Sequence, residues 1–314
     1  MKGGCTEIGG YRLKSAKRYE PAMNAAFVRK GDALLVAARG ASEYTLELLD
    51  LRGFKSLARA AVPDLAALWR VGDQGVLLER QRDLERAEED QSKQTLEVRN
   101  LKDFGLVTSF VEEEPGHITA HPDGRRIAVA HDFGGLNIWD ARTGELLYDY
   151  AWKGVGGVAY SGDGALLAAK EFAGSLRIFD ANQLSAEPLR SVAVGRGGVE
   201  IAFHPRRHVL AAAGKTAIKI VDADTAEVTA SIKTTNKERQ GSVGHMAFSP
   251  DGNLLVTSSL SHGAIGLWDA ENAEFIGHTM ELNRPVSAVE FDAGGSYLLI
   301  ATYQAAEIYA VSIA

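Results

Sequence analysis

Short apolar runs alternate with clusters of turn-forming residues along nearly the whole chain. Examples are ALLVAA at 33–38, IAVA at 127–130 and LLVTSS at 254–259, with Gly, Asp, Asn or Pro close by. Short apolar runs bounded in this way are typical of β-strands. No segment sustains a 3.6-residue apolar period for three turns, which an amphipathic helix would need. The pattern therefore predicts an all-β protein with little helix.

The same order of strands and turns recurs along the chain. Residues 117–150, 157–183 and 245–278 each follow one scheme: a strand, a Pro/Asp/Gly turn, a second strand, a short loop, a third strand that ends in an aromatic residue and Asp, and a fourth strand. Fainter copies fill the remaining segments. The residues at the equivalent place in the first turn are Gly31, Gly75, Gly124, Gly164, His208, Gly252 and Gly295.

The spacing of these turn residues defines the repeat. Successive positions are 44, 49, 40, 44, 44 and 43 residues apart, which matches the ~40–45 residues of a four-stranded propeller blade. The sequence thus predicts a seven-bladed β-propeller with four-stranded antiparallel blades, in a single domain over 1–314. The predicted blades are approximately 21–62, 63–112, 113–152, 153–194, 195–234, 235–282, and 283–314 together with 6–20.

The last predicted blade needs a strand from the other end of the chain. Residues 288–314 supply only three strands, and YRLKSAKR at 11–18 is a spare strand-like stretch. Closing the ring would protect sheet edges that otherwise pair with other chains. We therefore expect residues 6–20 to complete the seventh blade.

Two sequence segments within the repeats resemble a known family. AFSPDGNLL at 247–255 and IGLWDAEN at 265–272 resemble the WD-repeat family of β-propellers. We interpret the bulky residue that ends the third strand as a wedge between blades, and the following Asp as an acceptor for backbone N–H groups of the next turn. These repeat residues are Trp139 and Asp140, Trp268 and Asp269, and in degraded form Phe179 and Asp180, and Asp222 after Val221.

The sequence also departs from that family. The pairs Gly116-His117 and Gly244-His245 lie inside or at the edge of the first strand, out of register with the Gly-His pair of the family pattern. We therefore expect the buried His–Asp–Ser/Thr–Trp network of the family to be mostly missing.

Composition excludes several functional classes. The 34 Lys and Arg against 41 Asp and Glu give a net charge of −7, which disfavours general nucleic-acid binding. The lone Cys5 excludes an internal disulfide framework or a multi-cysteine zinc site. The N-terminus has no apolar core of a secretory signal, and no apolar run reaches the ~18 residues of a membrane span. We expect a cytoplasmic protein without a membrane partner.

No catalytic or cofactor motif is complete. AGKTA at 213–217 has Val209 where a phosphate loop needs Gly, and no Gly-x-Ser-x-Gly elbow occurs. On strands, His117 and His121 would lie roughly 13 Å apart at ~3.3 Å per residue, too far to share a metal. We therefore assign no catalytic, cofactor or metal residues. An alternative metal site at the channel mouth would draw on the loop residues Glu43, Asp132, Glu171, His262 and Asn283.

An acidic insertion interrupts the second blade. Loops that join second to third strands, and loops that join consecutive blades, share one rim of a propeller, which we name the top face. The charged loop 79–94 reaches this face, with four basic and six acidic residues between Glu79 and Lys93. Three glutamates follow at the next blade junction, so a basic partner would be attracted there. The candidate residues of this acidic sector are Arg82, Glu85, Glu88, Glu89, Glu112, Glu113 and Glu114.

Aromatic and arginine side chains recur on the other predicted top-face loops. Aromatic residues beside Arg are characteristic of the energetic centres of protein interfaces. This composition predicts a partner-binding face. Its further candidate residues are Arg39, Tyr44, Phe133, Trp152, Phe172, Arg284 and Tyr303.

Two functions from different classes fit these features. The first is a non-catalytic interaction scaffold or adaptor that binds a basic protein through the top face, as a complex subunit or an inhibitor or immunity-type protein. The alternative is a lactonase-like, metal-dependent propeller enzyme or a small-ligand binder that uses the central channel. The lack of a complete catalytic constellation favours the first.

Overall fold

The computed structural model describes residues 5–8, 11–20, 22, 24–28, 32–39, 43–62, 64–80, 93–131, 134–234, 242–260, 264–281, 285–302 and 305–313. These residues form 29 β-strands in seven antiparallel sheets, and no helix occurs among them. The predicted all-β, seven-bladed propeller is therefore confirmed.

Each sheet is one blade, and in blades 1 to 6 the strands follow chain order from the innermost to the outermost. Blade 1 contains β3 (Asn24–Val28), β4 (Ala33–Arg39), β5 (Tyr44–Asp50) and β6 (Ser56–Val62). Blade 2 contains β7 (Leu65–Val71), β8 (Gly75–Arg80), β9 (Lys93–Asn100) and β10 (Leu106–Glu113). Blade 3 contains β11 (Pro115–Ala120), β12 (Arg126–His131), β13 (Leu136–Asp140) and β14 (Leu146–Tyr150). Blade 4 contains β15 (Val155–Tyr160), β16 (Leu166–Glu171), β17 (Ser175–Asp180) and β18 (Arg190–Ala193).

The remaining blades complete the ring. Blade 5 contains β19 (Ile201–Phe203), β20 (Val209–Ala213), β21 (Ala217–Asp222) and β22 (Glu227–Lys233). Blade 6 contains β23 (Val243–Phe248), β24 (Leu254–Ser259), β25 (Ala264–Asp269) and β26 (Glu274–Glu281). Blade 7 contains β27 (Val286–Phe291), β28 (Tyr297–Thr302), β29 (Ala306–Ile313), β2 (Tyr11–Tyr19) and β1 (Cys5–Ile8). Each innermost strand contacts the innermost strand of the next blade, and β27 contacts β3, so the ring is closed around a central channel.

The two ends of the chain meet in blade 7. Strand β2 pairs antiparallel with β29, from Tyr11 opposite Ile313 to Tyr19 opposite Ala306. Leu13 of β2 is buried against the core between blades 6 and 7. The expected closure by an N-terminal strand is consistent with this pairing. One detail was not predicted: β1 pairs with β2 and gives this blade a fifth, outermost strand.

The hydrophobic core lies between the blades rather than within them. Each sheet buries both faces of its second strand, which explains continuous apolar runs such as Ala128, Val129 and Ala130 in β12. Phe179 of blade 4 joins a cluster with Ile138 of blade 3, and full burial of one such side chain contributes about 1.5–3 kcal/mol. Packing between neighbouring blades therefore holds the ring together.

In blades 1 to 6, the third strand ends in the same kind of turn. The Oδ1 atom of Asp140 accepts the N–H groups of Arg142 at 2.7 Å and Thr143 at 2.9 Å. In such an Asx turn, the side-chain oxygen accepts hydrogen bonds from backbone N–H groups that would otherwise lack an acceptor in the tight turn. Asp50 and Asn100, which the sequence pattern did not single out, end their strands in the same way as the repeat residues. The corresponding acceptors in the other blades are Asp180, Asp222 and Asp269.

The first turn of each blade contacts its neighbour closely. Gly252 has φ of 82°, a region that favours glycine. A Cβ atom there would lie 1.9 Å from Nε2 of His204, in the first turn of blade 5. His204 itself accepts the N–H groups of Arg206 and Arg207 through Nδ1, at 3.1 Å each. Glycine at 252 is therefore required both by the backbone and by the adjacent blade.

Candidate functional site

Seven of the fourteen partner-binding residues predicted from the sequence lie in the described part of the chain. The other seven lie outside the described residues. So do Asp132, His262 and Asn283 of the alternative metal site. The undescribed candidates are Arg82, Glu85, Glu88, Glu89, Phe133, Arg284 and Tyr303.

The acidic insertion in blade 2 is shorter than its predicted range of 79–94. Strand β8 continues through Arg80, and β9 begins at Lys93. Glu79 pairs with Leu96 across these strands. The ends of the predicted loop are therefore part of the sheet, and residues 81–92 lie outside the described residues.

Tyr44 does not belong to the exposed top face. Its ring is 6 % exposed and lies in the core cluster that contains Val62 and Leu65, at the junction of blades 1 and 2. The prediction that it binds a partner is wrong for this reason. Arg39, opposite Tyr44 across β4 and β5, is exposed and remains a candidate.

Glu112 is also buried, with only 3 % of its surface exposed. Its carboxylate accepts hydrogen bonds from Nδ2 of Asn137, at 3.2 Å to each oxygen, and from the indole N–H of Trp139. Trp139 stacks on Phe110 with the ring centroids 4.5 Å apart. Glu112 therefore joins β10 of blade 2 to β13 of blade 3 and is not available to a partner, which corrects its assignment as a binding residue.

His131 completes this buried group. Its Nδ1 lies 2.6 Å from the carbonyl oxygen of Glu113, which can only accept, so Nδ1 carries a hydrogen. Its Nε2 faces the Glu112 carboxylate at 3.4 Å but forms no hydrogen bond with a described residue. Burial raises the pKa of Glu112, while His131, Trp139 and Asn137 oppose the shift.

Glu113 and Glu114 remain as the exposed acids of this junction. Both side chains are exposed, and neither forms an ion pair with another described residue. Glu114 has φ of 47° just before Pro115, an unusual backbone for a residue with a side chain. The junction thus presents two carboxylates at a sharp turn, with Glu113 opposite Lys93 across the sheet.

Trp152 packs on its own blade junction rather than standing free. Its ring stacks on Phe179 at 4.8 Å, and the guanidinium of Arg177 lies 4.5 Å from the centre of its ring. Arg177 also pairs with Glu171 at 2.7 Å. Trp152 is therefore half-buried, and Glu171 of the alternative metal site is already neutralised by a cation.

Phe172 is the exposed aromatic residue of the described top face, with 41 % of its surface exposed. Its backbone N–H donates to Gly154 and its carbonyl accepts from Gly197, at 2.9 and 3.0 Å. The residue therefore connects three top-face loops. An exposed ring on a fixed backbone is suited to partner contact, because little ordering entropy is lost on binding.

A second group of polar side chains lies on the channel wall and connects three blades. Oε2 of Glu200, just before β19, lies 3.3 Å from Nε2 of His117 on β11, and Oε1 lies 3.8 Å from Nδ1 of His245 on β23. Oε1 also accepts the N–H of Met246 at 3.4 Å. Burial opposes the charged carboxylate, yet His117, His245 and Met246 keep the pKa of Glu200 below its ordinary value.

This group uses His117 and His245, the two histidines that the sequence places out of register with the family pattern. Gly157 occupies the equivalent place on β15, between β11 and β19, and a Cβ there would lie 1.8 Å from the carbonyl oxygen of Val199. Its lack of a side chain lets blades 3 and 5 meet across blade 4. Within the described part of the chain, no group of three or more His, Cys, Asp and Glu side chains is placed to hold a metal ion.

Sequence reasoning missed Glu200, Lys170 and the role of Glu112. The alternation in β10 carried a usable signal for Glu112, because it shares a strand face with the buried Phe110. Lys170 stands within the apolar run LLAAK of β16, where a charged residue is unusual. Glu200 had no local signal, because its partners come from other blades.

Seven antiparallel sheets in a closed ring define a seven-bladed β-propeller. Residues 231–269 match the family model described as WD domain, G-beta repeat. The matched span runs from the outer strand of blade 5 to the third strand of blade 6. This match and the seven-bladed ring support the resemblance to WD-repeat propellers noted above. No match was found among curated proteins.

The family whose model matches has a general mode of action. Propellers of this family generally mediate protein–protein interaction or scaffolding, and they are typically non-enzymatic. Across the described residues, no helix is long and apolar enough to cross a membrane.

Proposed function

We propose that this protein is a non-catalytic scaffold or adaptor that binds a basic protein partner through its top face. The observation that carries the proposal is the pair of exposed carboxylates of Glu113 and Glu114, which form no ion pair with other described residues. Glu113 lies opposite Lys93 across the sheet, and residues 81–92, which precede Lys93 in the chain, are acidic in sequence and would attract a basic surface. In this proposal the protein acts in the cytoplasm as a complex subunit or an inhibitor or immunity-type protein.

The partner surface combines charge with an aromatic contact. Glu113 and Glu114 lie at the junction of blades 2 and 3, and Phe172 is exposed in blade 4. Charge on the rim mainly sets the association rate, whereas an exposed ring supplies buried apolar area. A protein partner, rather than nucleic acid or a membrane, fits this composition.

The test compares variants in partner capture from the native source. Replacement of residues 82–93 by a short Gly-Ser link, and the pair Glu113→Lys with Glu114→Lys, should each reduce capture and leave the unfolding temperature unchanged. The matched control is Glu145→Lys with Glu187→Lys, because these exposed acids lie on turns of the opposite face. Full capture by both test variants would refute the acidic-sector proposal.

The enzymatic or ligand-binding alternative has one observation in its favour. Glu200 lies between His117 and His245 on the channel wall. Its oxygens are occupied by protein donors, which favours a structural role. Metal analysis of the purified protein, followed by thermal unfolding with EDTA, separates the two functions. A stoichiometric metal whose removal lowers the unfolding temperature would support the enzyme and reject the scaffold.

A further inference from the structure

The exposed ring of Phe172 lies across the junction of blades 4 and 5. A Cβ atom on Gly156 of β15 would lie 2.7 Å from Cε2 of the Phe172 ring and 2.2 Å from Cγ1 of Val199. The ring and the half-buried Val199 side chain therefore meet above Gly156, which is itself buried. We name Phe172 and Val199 the apolar platform. Because 41 % of Phe172 is exposed, this platform offers apolar surface to a partner.

A buried lysine holds the segment that leads into Val199. Lys170, near the end of β16, is 0 % exposed, and its ammonium donates to the carbonyl oxygens of Gly198 at 2.5 Å and Gly197 at 3.1 Å. The N–H of Gly197 in turn donates to the carbonyl of Phe172 at 3.0 Å. Both parts of the platform are therefore fixed before a partner arrives, which lowers the ordering cost of binding.

Three exposed cations flank the platform. Lys153 directly precedes the glycine that accepts the N–H of Phe172, and Arg196 directly precedes the glycine that donates to its carbonyl. The N–H of Lys215 donates to the carbonyl of Arg196 at 3.0 Å, which places Lys215 beside them. All three side chains are exposed, and none forms an ion pair with another described residue. The platform is thus bordered by three positive charges.

The acids closest to the platform in the chain do not offset these charges. Glu171 pairs with Arg177 at 2.7 Å, and Glu200 lies 3.3 Å from His117 on the channel wall. Burial lowers the pKa of Lys170 to about 8, so this lysine stays mostly charged at neutral pH, and no described carboxylate pairs with it. The surface is therefore positive, opposite in sign to the junction of blades 2 and 3.

We propose that the apolar platform, with Lys153, Arg196 and Lys215, docks a protein segment that carries a large apolar side chain among Asp or Glu residues. The apolar side chain would be buried against Phe172, and the carboxylates would complement the cations. A nucleic acid also carries negative charge, but the net charge of −7 of the chain opposes its binding. The inference rests on the proposed function for the binding role of this face, and it gives the two sides of the face opposite charge preferences.

The binding test uses fluorescence anisotropy of the full chain with a labelled peptide in which four glutamates surround one leucine. We expect saturable binding that weakens as salt is added. Replacing the leucine of the peptide by serine should weaken binding about tenfold, and replacing its glutamates by lysines should abolish binding. No saturable binding at millimolar peptide, or a single-stranded oligonucleotide that binds as tightly, would overturn the proposal.

Matched variants separate this surface from general attraction. Phe172→Ala should weaken peptide binding about tenfold, as for a central interface residue. Leu189→Ala removes a side chain of similar exposure, 49 %, and should have no effect. Lys153→Gln and Arg196→Gln should each weaken binding about two- to fivefold, the range of exposed ion pairs, whereas Arg125→Gln on the opposite face should not. Equal weakening by test and control variants would reject the surface.

The acidic junction of blades 2 and 3 distinguishes this inference from the proposed function. The pair Glu113→Lys with Glu114→Lys should reduce capture of the basic partner without weakening binding of the acidic peptide. If the peptide binds but capture does not depend on these glutamates, the acidic-sector proposal fails and the docking surface stands. If capture depends on them but the peptide does not bind, the docking surface fails alone.

Discussion

The indole N–H of Trp139, on β13 of blade 3, donates its hydrogen bond to Glu112, on β10 of blade 2. In blade 6 the equivalent Trp268 donates to Thr257 of its own blade at 2.9 Å. Val129 holds in blade 3 the register position that Thr257 holds in blade 6. Valine has no acceptor, so blade 3 takes its acceptor from the preceding blade.

We therefore expect the Glu112 side chain to stabilise the folded protein. Glu112→Ala leaves the indole of Trp139 and the amide of Asn137 without their shared acceptor. A buried polar group left unsatisfied costs about 1–3 kcal/mol, so we expect the free energy of unfolding to fall by about 2–3 kcal/mol. Urea denaturation measures this loss. The exposed neighbour provides the control, because Glu114→Gln should change stability by less than about 0.5 kcal/mol.

A local acceptor should compensate for the lost carboxylate. Val129→Thr introduces into blade 3 the hydroxyl that blade 6 already has, with little change in volume. In the Glu112→Ala background it should recover about 1 kcal/mol, the net value of one hydrogen bond. The same substitution in the parent protein should give no gain. Equal stability of Glu112→Ala and the parent would contradict this account of the junction.

The sequence predicted the blades because each blade is formed by neighbouring strands. The turn glycines and the apolar runs are local, and closure followed from counting strands in the last unit. Contacts between blades were harder to predict. The run Glu112–Glu114 has the composition of an exposed segment, yet strand alternation buries its first residue and exposes the next two. Tyr44 is buried because blade 2 covers it, a contact that its own segment does not predict.

Removal of the N-terminal strands should destabilise the protein in two steps. Deletion of residues 1–9 removes only β1 and should lower the unfolding temperature slightly. Deletion of residues 1–20 also removes β2, which uncovers the edge of β29 and the buried contact of Leu13. We expect a large fall in unfolding temperature and aggregation, because an open edge pairs with other chains. Calorimetry and light scattering measure both effects. An unchanged unfolding temperature for the longer deletion would refute closure by β2.

Gly157 should tolerate no side chain. A Cβ there would lie 1.8 Å from the carbonyl oxygen of Val199, which is backbone and cannot rotate away. Gly157→Ala should displace β15 from the strand entry of blade 5, with a loss of at least ~2 kcal/mol of unfolding free energy, in the range of overpacked cores. Gly53→Ala is the control, because its nearest contact would be 3.7 Å. Similar unfolding curves for the two variants would contradict the close approach of the blades.

His208 should make the junction of blades 4 and 5 sensitive to pH. Its Nε2 lies 2.9 Å from Asp163 of blade 4, and its Nδ1 lies 2.8 Å from Asp224 of blade 5. Hydrogen bonds to Asp163 and Asp224 raise the pKa of His208 above its ordinary value of 6.5. A group whose pKa is higher in the folded state stabilises fully below the unfolded pKa, and this contribution disappears as pH rises through the folded pKa.

The parent protein should therefore exceed His208→Gln in stability at about pH 5.5, and the difference should disappear by about pH 9. Both acids are largely exposed, so the advantage is about 0.5–1 kcal/mol, and 1 M salt should reduce it. Urea unfolding of both proteins across this range provides the measurement. Asp163→Asn is the matched partner variant: if His208 acts through this carboxylate, His208→Gln should cost less in that background. A stability difference that does not change with pH would mean that His208 acts by packing and not by charge.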